Sequence, residues 1–221
     1  NKPRCLVRGR SAGAMKDLVA LVADKNMEWV LRRLLGRHAA LHTRALAYDA
    51  YVHPHRDPGC LLHAHEFLRP FCRAYAHALV MFDREGCGQE SSCREVLEQQ
   101  VEERLGQWGW DDRAAAVVLD PELEIWVWGD SPRVETALGW GSRRGRISDW
   151  LRGEGLLRAG QHKPDRPKEA FENVLRAVSK PRSSSLYGEL ARTVSLNACT
   201  DPAFGRLRAL LGDWFSEQGT V

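Results

Sequence analysis

Three features of the chain predict an α/β protein: a parallel sheet flanked by helices, with a helical C-terminal part. Short apolar runs at residues 18–23, 78–82 and 114–119 have the unbroken character of strands buried on both faces. Segments with apolar residues three and four apart alternate with these runs, which is the order of a doubly wound sheet. Beyond residue 131 helix signals continue and strand signals stop.

The first apolar run ends on Asp24. Met27, Val30, Leu31, Leu34 and Leu35 then share one helical face, and Gly36 stops the helix. Asp24 suits the N-cap and Glu28 the first turn, where acids complement the helix dipole. On a functional reading the same two residues, four apart, point into the crevice at the strand end. Residues 43–52 alternate in part and predict a strand near the sheet edge. After two prolines a helix is expected from about Leu61, its face of Leu61, Leu68, Phe71, Cys72 and Tyr75 kinked at Pro70.

The most apolar strand, residues 78–82, runs directly into Asp83, Glu85, Gly86 and Gly88, with the glycines permitting close backbone approach. From about Ser92 to Gln107 a helix turns Leu97, Val101 and Leu105 inward and Glu95, Glu98, Glu102 and Glu103 outward. Residues 114–119 form a fourth strand, followed by Asp120, Glu122 and Glu124. Trp126 and Trp128 read as core.

The organisation expected is an α/β domain over residues 15–131 and a helical appendage over residues 132–221 packed on it. In the appendage Phe171, Val174, Leu175 and Val178 make one stripe, and Asp201-Pro202 is a helix start with an N-cap and a proline at the first helical position. Phe204, Leu207, Leu210, Leu211, Trp214 and Phe215 give the closing amphipathic helix. Residues 1–14, basic and without apolar periodicity, read as a tag or disordered extension, with Met15 as the natural start.

With 43% apolar residues and eight Trp, the 221-residue chain holds enough for a substantial core. It has no apolar run of membrane-spanning length. A net charge of +3 is too slight to demand a nucleic-acid partner, though it leaves room for local basic patches. Six Cys without paired short spacing fit free thiols in a reducing cytoplasm.

Three of the strands end in acids: Asp24, Asp83 with Glu85, and Asp120 with Glu122 and Glu124. Sites in open α/β sheets gather at the carboxyl ends of strands, and converging carboxylates there suit a divalent cation with oxygen ligands. Solvated loop acids are the plainer reading. A rival constellation, His53, His55, Asp57, Cys60, His63 and His65, offers zinc-ligand types, but its spacing matches no established zinc signature and a surface loop without metal is expected. Arg143, Arg144 and Arg146 between Trp140 and Trp150 mix base-stacking and phosphate-binding side chains.

The order strand–acid–helix, then apolar strand–Asp-x-acid–Gly, resembles the Toprim domain of topoisomerases, primases and overcoming-lysogenization-defect nucleases. More closely, residues 21–28, 80–86 and 121–130, with a looser stretch at 180–191, resemble a poorly characterised bacterial Toprim-related family found in phage-defence gene clusters. The resemblance covers most of residues 15–215. It implies a Toprim-like sheet, Mg²⁺ (or Mn²⁺) as cofactor, and hydrolysis of phosphodiester bonds in DNA or RNA. It also implies Asp24, Glu28, Asp83, Glu85 and Lys180 as catalytic residues, with Asp24, Asp83, Glu85, Asp120, Glu122 and Glu124 as metal ligands. Lys180, with Arg182 and residues 183–185, would stabilise the pentavalent phosphate or hold the backbone, unless that stretch is a solvated loop. An ATPase partner and a role in anti-phage defence come with the resemblance. Two positions depart from the pattern. Toprim domains place Glu, followed by Gly, at the end of the first strand, where this chain has Asp24, and Glu85 replaces the second Asp of the usual pair. The first departure favours an alternative, a catalytically inactive scaffold that binds a protein or nucleotide and regulates its partner.

Overall fold

The computed structural model describes residues 15–128, 131–143, 145–196 and 199–216. Residues 1–14, read above as an extension, lie outside them, as do Asp130 and Arg144. Strands β1 (Lys16–Val22), β2 (Tyr48–Val52), β3 (Tyr75–Asp83) and β4 (Ala114–Leu119) form one parallel sheet in the order β2-β1-β3-β4. In the two inner strands, residues 18–22 and 78–82 are 0% exposed, as strands covered on both faces must be; the third unbroken run, β4, is an edge strand that is also buried. The partly alternating β2 takes an edge, beginning at Tyr48 rather than Thr43.

The helices are α1 (Lys25–Leu35), α2 (His38–Leu41), α3 (Arg56–Leu68), α4 (Arg94–Leu105), α5 (Pro132–Leu138), α6 (Ile147–Gly153), α7 (Pro167–Ala177), α8 (Ser184–Thr193) and α9 (Pro202–Phe215). One of them, α3, differs from expectation at both ends. α3 starts at Arg56, ahead of Leu61, because Pro58 sits in its first turn, where a missing N–H costs no helical bond. Pro70 does not kink this helix. It lies in the 3₁₀ turn Arg69–Phe71 that ends it, and Tyr75 already belongs to β3.

From β1 the chain crosses to β2 in one direction, then from β2 to β3 and β3 to β4 in the other. Right-handed crossovers therefore put α1 on one face and α3 with α4 on the opposite one. α3 packs on α4 and β3, while α8 lies along α1 and α9 against β4. One continuous core joins the sheet to the C-terminal helices. Asp201 caps α9, its Oδ1 accepting the N–H groups of Ala203 (3.0 Å) and Phe204 (3.2 Å) and of the Trp126 indole (2.9 Å). Asp201→Ala should therefore cost about 1–2 kcal/mol, the upper part of the range for a lost cap, read as a lower urea midpoint at unchanged slope. No helix of the described residues is long and apolar enough to cross a membrane.

Side chains bond to backbone groups at both sheet edges. On β4, Glu98 accepts the Val118 N–H (3.0 Å), Glu102 accepts the Ala116 N–H (2.8 Å), and Arg206 donates to the Ala116 carbonyl (2.9 Å). Three outer ladder groups of this strand, the N–H and carbonyl of Ala116 and the N–H of Val118, are thus paired without a fifth strand. Helical periodicity turned Glu98 outward. It is instead 3% exposed, held by Arg94 (2.9 Å) and Arg206 (3.3 Å), because the edge strand needs its acceptor. On β2, Arg32 donates to the Ala50 carbonyl (3.1 Å) and pairs with Glu28 (2.9 Å), which also binds Lys25 (2.6 Å).

Candidate active site

Register sets the site. Val22 pairs with Met81, so Asp24, two residues on, comes level with Asp83. Asp83 in turn pairs with Leu119, one residue before Asp120. Between β1 and β3 the direction of the crossovers reverses, and such a switch point opens a crevice outside the carboxyl ends of the strands. Asp24 and Asp83 flank it.

Asp83 has the most unusual environment among these acids. The residue keeps some exposure, yet its Oδ1 is enclosed and has no hydrogen-bond partner. Burial pushes its carboxyl well above the usual carboxylate range, and the charges of Asp57, Glu124, Asp24 and Glu122 push the same way. Asp57, in the first turn of α3, accepts the Asp83 backbone N–H (2.8 Å). Burial raises the Asp57 carboxyl too, opposed by that bond and reinforced by Asp24. Glu122 is 8% exposed and accepts the Lys168 N–H (2.9 Å) at the start of α7. Burial raises its carboxyl against that bond, and Glu124 and Glu85 add to the rise. Glu124, 2% exposed, receives Arg182 (2.9 Å) and the Tyr187 hydroxyl. Burial first, then the Glu124 charge, holds that phenol far above its ordinary range, so Tyr187 remains a neutral donor.

The remaining predicted residues separate. Asp24 does lie at the crevice, where it also caps α1 through the Met27 N–H (2.8 Å). Glu28 faces the β2 edge, in the ion pairs described above, and not the crevice. Glu85 is exposed at the rim, its backbone N–H on the Pro121 carbonyl (2.9 Å) and its charge acting on Glu122. Asp120 turns out to Arg84 (2.8 Å). Lys180 donates to the Ala137 carbonyl (2.5 Å). The cations whose charges act on the cluster are Lys168, on Asp57 and Glu122, and Arg182, on Glu124. Ser183 caps α8 by accepting the Leu186 N–H (3.3 Å), so Ser184 and Ser185 begin that helix, while residues 180–183 precede it as a loop that is exposed over 181–183.

Gly86 and Gly88 are needed for conformation, not for close approach. Their φ values are +86° and +87°, and a Cβ on either would meet nothing within 4 Å. Both N–H groups bind the Glu90 carboxylate (3.1 and 3.0 Å).

The histidine-rich stretch is not a surface loop. Most of it is α3, and His53 is buried, its ring 5.6 Å from Phe67 and its Nδ1 accepting the His55 N–H (3.1 Å). Asp57 of that stretch reaches the acidic crevice, held there by the Asp83 backbone, and the buried Cys60 lies close enough for the charges of Asp57 and Asp83 to act on its thiol. Trp140 is 2% exposed and packs on Trp150 (5.2 Å between ring centroids), with Arg143 over its face (5.1 Å), so this indole serves the core and is not open to bases.

An oxygen-only donor set, an enclosed carboxylate oxygen without a partner and five crowded acids suit a hard divalent cation. Among the described residues no three His, Cys, Asp or Glu side chains converge tightly enough to hold an ion directly. The fit is therefore to a hydrated ion that takes one or two carboxylates and keeps several waters, as Mg²⁺ does. No family model, no curated protein and no solved structure matches the chain.

Proposed function

We propose that the chain is a Mg²⁺- (or Mn²⁺-) dependent nuclease or nuclease-like effector that hydrolyses phosphodiester bonds in DNA or RNA. The observation that carries this reading is the enclosed and unpartnered Asp83 Oδ1, on whose carboxyl the charges of Asp57, Glu124, Asp24 and Glu122 act. The Toprim resemblance of residues 21–28 and 80–86 supports the same chemistry. It also supports a place in bacterial anti-phage defence beside an ATPase partner. Free thiols at Cys60, Cys72, Cys87, Cys93 and Cys199 fit a reducing cytoplasm.

Bound Mg²⁺ would supply charge to the scissile phosphate and acidify a water. Asp83 and Asp24 are placed to hold the ion or its waters. Asp57 fixes the Asp83 backbone through its N–H, and Glu122 and Glu124 deepen the negative field. Arg182, anchored on Glu124, keeps Tyr187 oriented and stands at the cluster as a phosphate partner. The reading is tested by incubating purified protein with single- and double-stranded DNA and with RNA. Cleavage in Mg²⁺ or Mn²⁺, lost with EDTA and in Asp83→Ala, is expected. No cleavage of any substrate with either ion contradicts it.

One observation favours the inactive scaffold. Asp24, Glu28 and Lys180 all hold structural partners: a helix cap, an edge-strand ion pair and a carbonyl. Asp24→Ser separates the readings, because serine also caps helices well. Stability within about 0.5 kcal/mol of wild type with cleavage lost supports the hydrolase. Equal stability with no cation effect in either protein supports the scaffold.

A further inference from the structure

Away from the acids, a cavity of about 400 Å³ lies between α1, α8, α9 and the 3₁₀ turn Leu123–Trp126. Val30 and Leu34 of α1, Leu190 of α8, Phe204 of α9 and the indoles of Trp126 and Trp128 supply most of its wall. Its size falls within the range that encloses small organic ligands, and so does its character, an apolar wall with a few polar groups. Lys163 provides the charge at this wall. Its side chain is 26% exposed, and its ammonium reaches Asp201 Oδ2 at only 3.4 Å. The other oxygen of Asp201 already takes three N–H groups, from Trp126, Ala203 and Phe204. An ammonium carries three donors, so Lys163 has capacity left for a second anion, and the N-terminus of α9 adds positive potential beside it.

We infer that this cavity binds a small aromatic carboxylic acid, its ring among Trp126, Trp128 and Phe204 and its carboxylate on Lys163. Phosphodiesters do not fit the wall, and the site is distinct from the acidic crevice. The two share Tyr187, whose ring lines the cavity while its hydroxyl donates to Glu124. A ligand seated here therefore touches a residue that holds the acidic cluster in place. The inference stands without the hydrolase reading.

The probe is 2-naphthoate, with naphthalene-2-methanol as its uncharged counterpart, titrated into the full chain by calorimetry. One saturable site for 2-naphthoate is expected, with quenching of tryptophan fluorescence. Lys163→Met should weaken 2-naphthoate about tenfold or more, as loss of a charge-assisted hydrogen bond does. It should change binding of the alcohol less than about twofold. Ala191→Leu and Val194→Phe each place bulk in the cavity, and a variant that melts near wild type should lose both ligands. Two such variants guard against one failing to fold. Absence of saturable 2-naphthoate binding, equal affinity in Lys163→Met, or full affinity in a folded cavity-filling variant overturns the inference.

Discussion

Asp83→Asn is expected to stabilise the metal-free protein near neutral pH by about 1 kcal/mol, the order of the burial and like-charge penalty that a perturbed carboxyl in a folded protein represents. Asparagine matches the shape of a protonated aspartic acid and cannot ionise. The raised carboxyl of Asp83 means that the folded state binds its proton more tightly than the unfolded chain does. Stability from this group is therefore full below the unfolded carboxylate range, about pH 4, and is lost as pH rises toward and through the folded value. Asp57 and Glu122, raised in the same direction, steepen that loss. The gain in Asp83→Asn should thus be small near pH 4 and grow with pH. Urea melts of both proteins across this range measure it. A variant less stable than wild type at every pH would make Asp83 a structural residue.

Glu98→Ala should be strongly destabilising, by about 2–3 kcal/mol, because it takes the only carboxylate acceptor from a buried backbone N–H and one partner from each of two arginines. Arg94 would keep only Glu95 (2.8 Å) and Arg206 only Glu102 (2.6 Å), while the Val118 N–H would lose its acceptor. Glu98→Gln keeps an acceptor for Val118 and should cost less than half as much. Opening the β4 edge also frees a template for strand pairing, so the alanine variant should self-associate more than wild type. Sedimentation at several concentrations, beside the urea melts, distinguishes this from a purely local loss.

The contrast between these two residues shows where sequence was sufficient. Asp83 follows the most apolar strand, and an unbroken run such as residues 78–82, bounded by turn residues, reads as a buried strand, so its carboxyl end was locatable. Glu98 lay on the polar side of a helical repeat that Leu97, Val101 and Leu105 define, and helical periodicity carries no information about an unpaired edge strand. Asp57 was legible only as a possible zinc ligand, since its place depends on where α3 begins, and Pro58 read as loop although it fits a first helical turn. Glu28 and Lys180 were matched to family positions. Their side chains are committed to Arg32 and to the Ala137 carbonyl, contacts that depend on tertiary packing. Arg182, two residues along, reaches Glu124 instead.

The most direct measurement is calorimetric titration of Mg²⁺ into EDTA-stripped protein at neutral pH, wild type beside Asp83→Asn. A cation site built on the enclosed Asp83 carboxylate gives one saturable ion per chain and a higher melting temperature in Mg²⁺, with both effects absent from the variant. Absence of saturable binding in wild type, or equal binding by the two proteins, contradicts it.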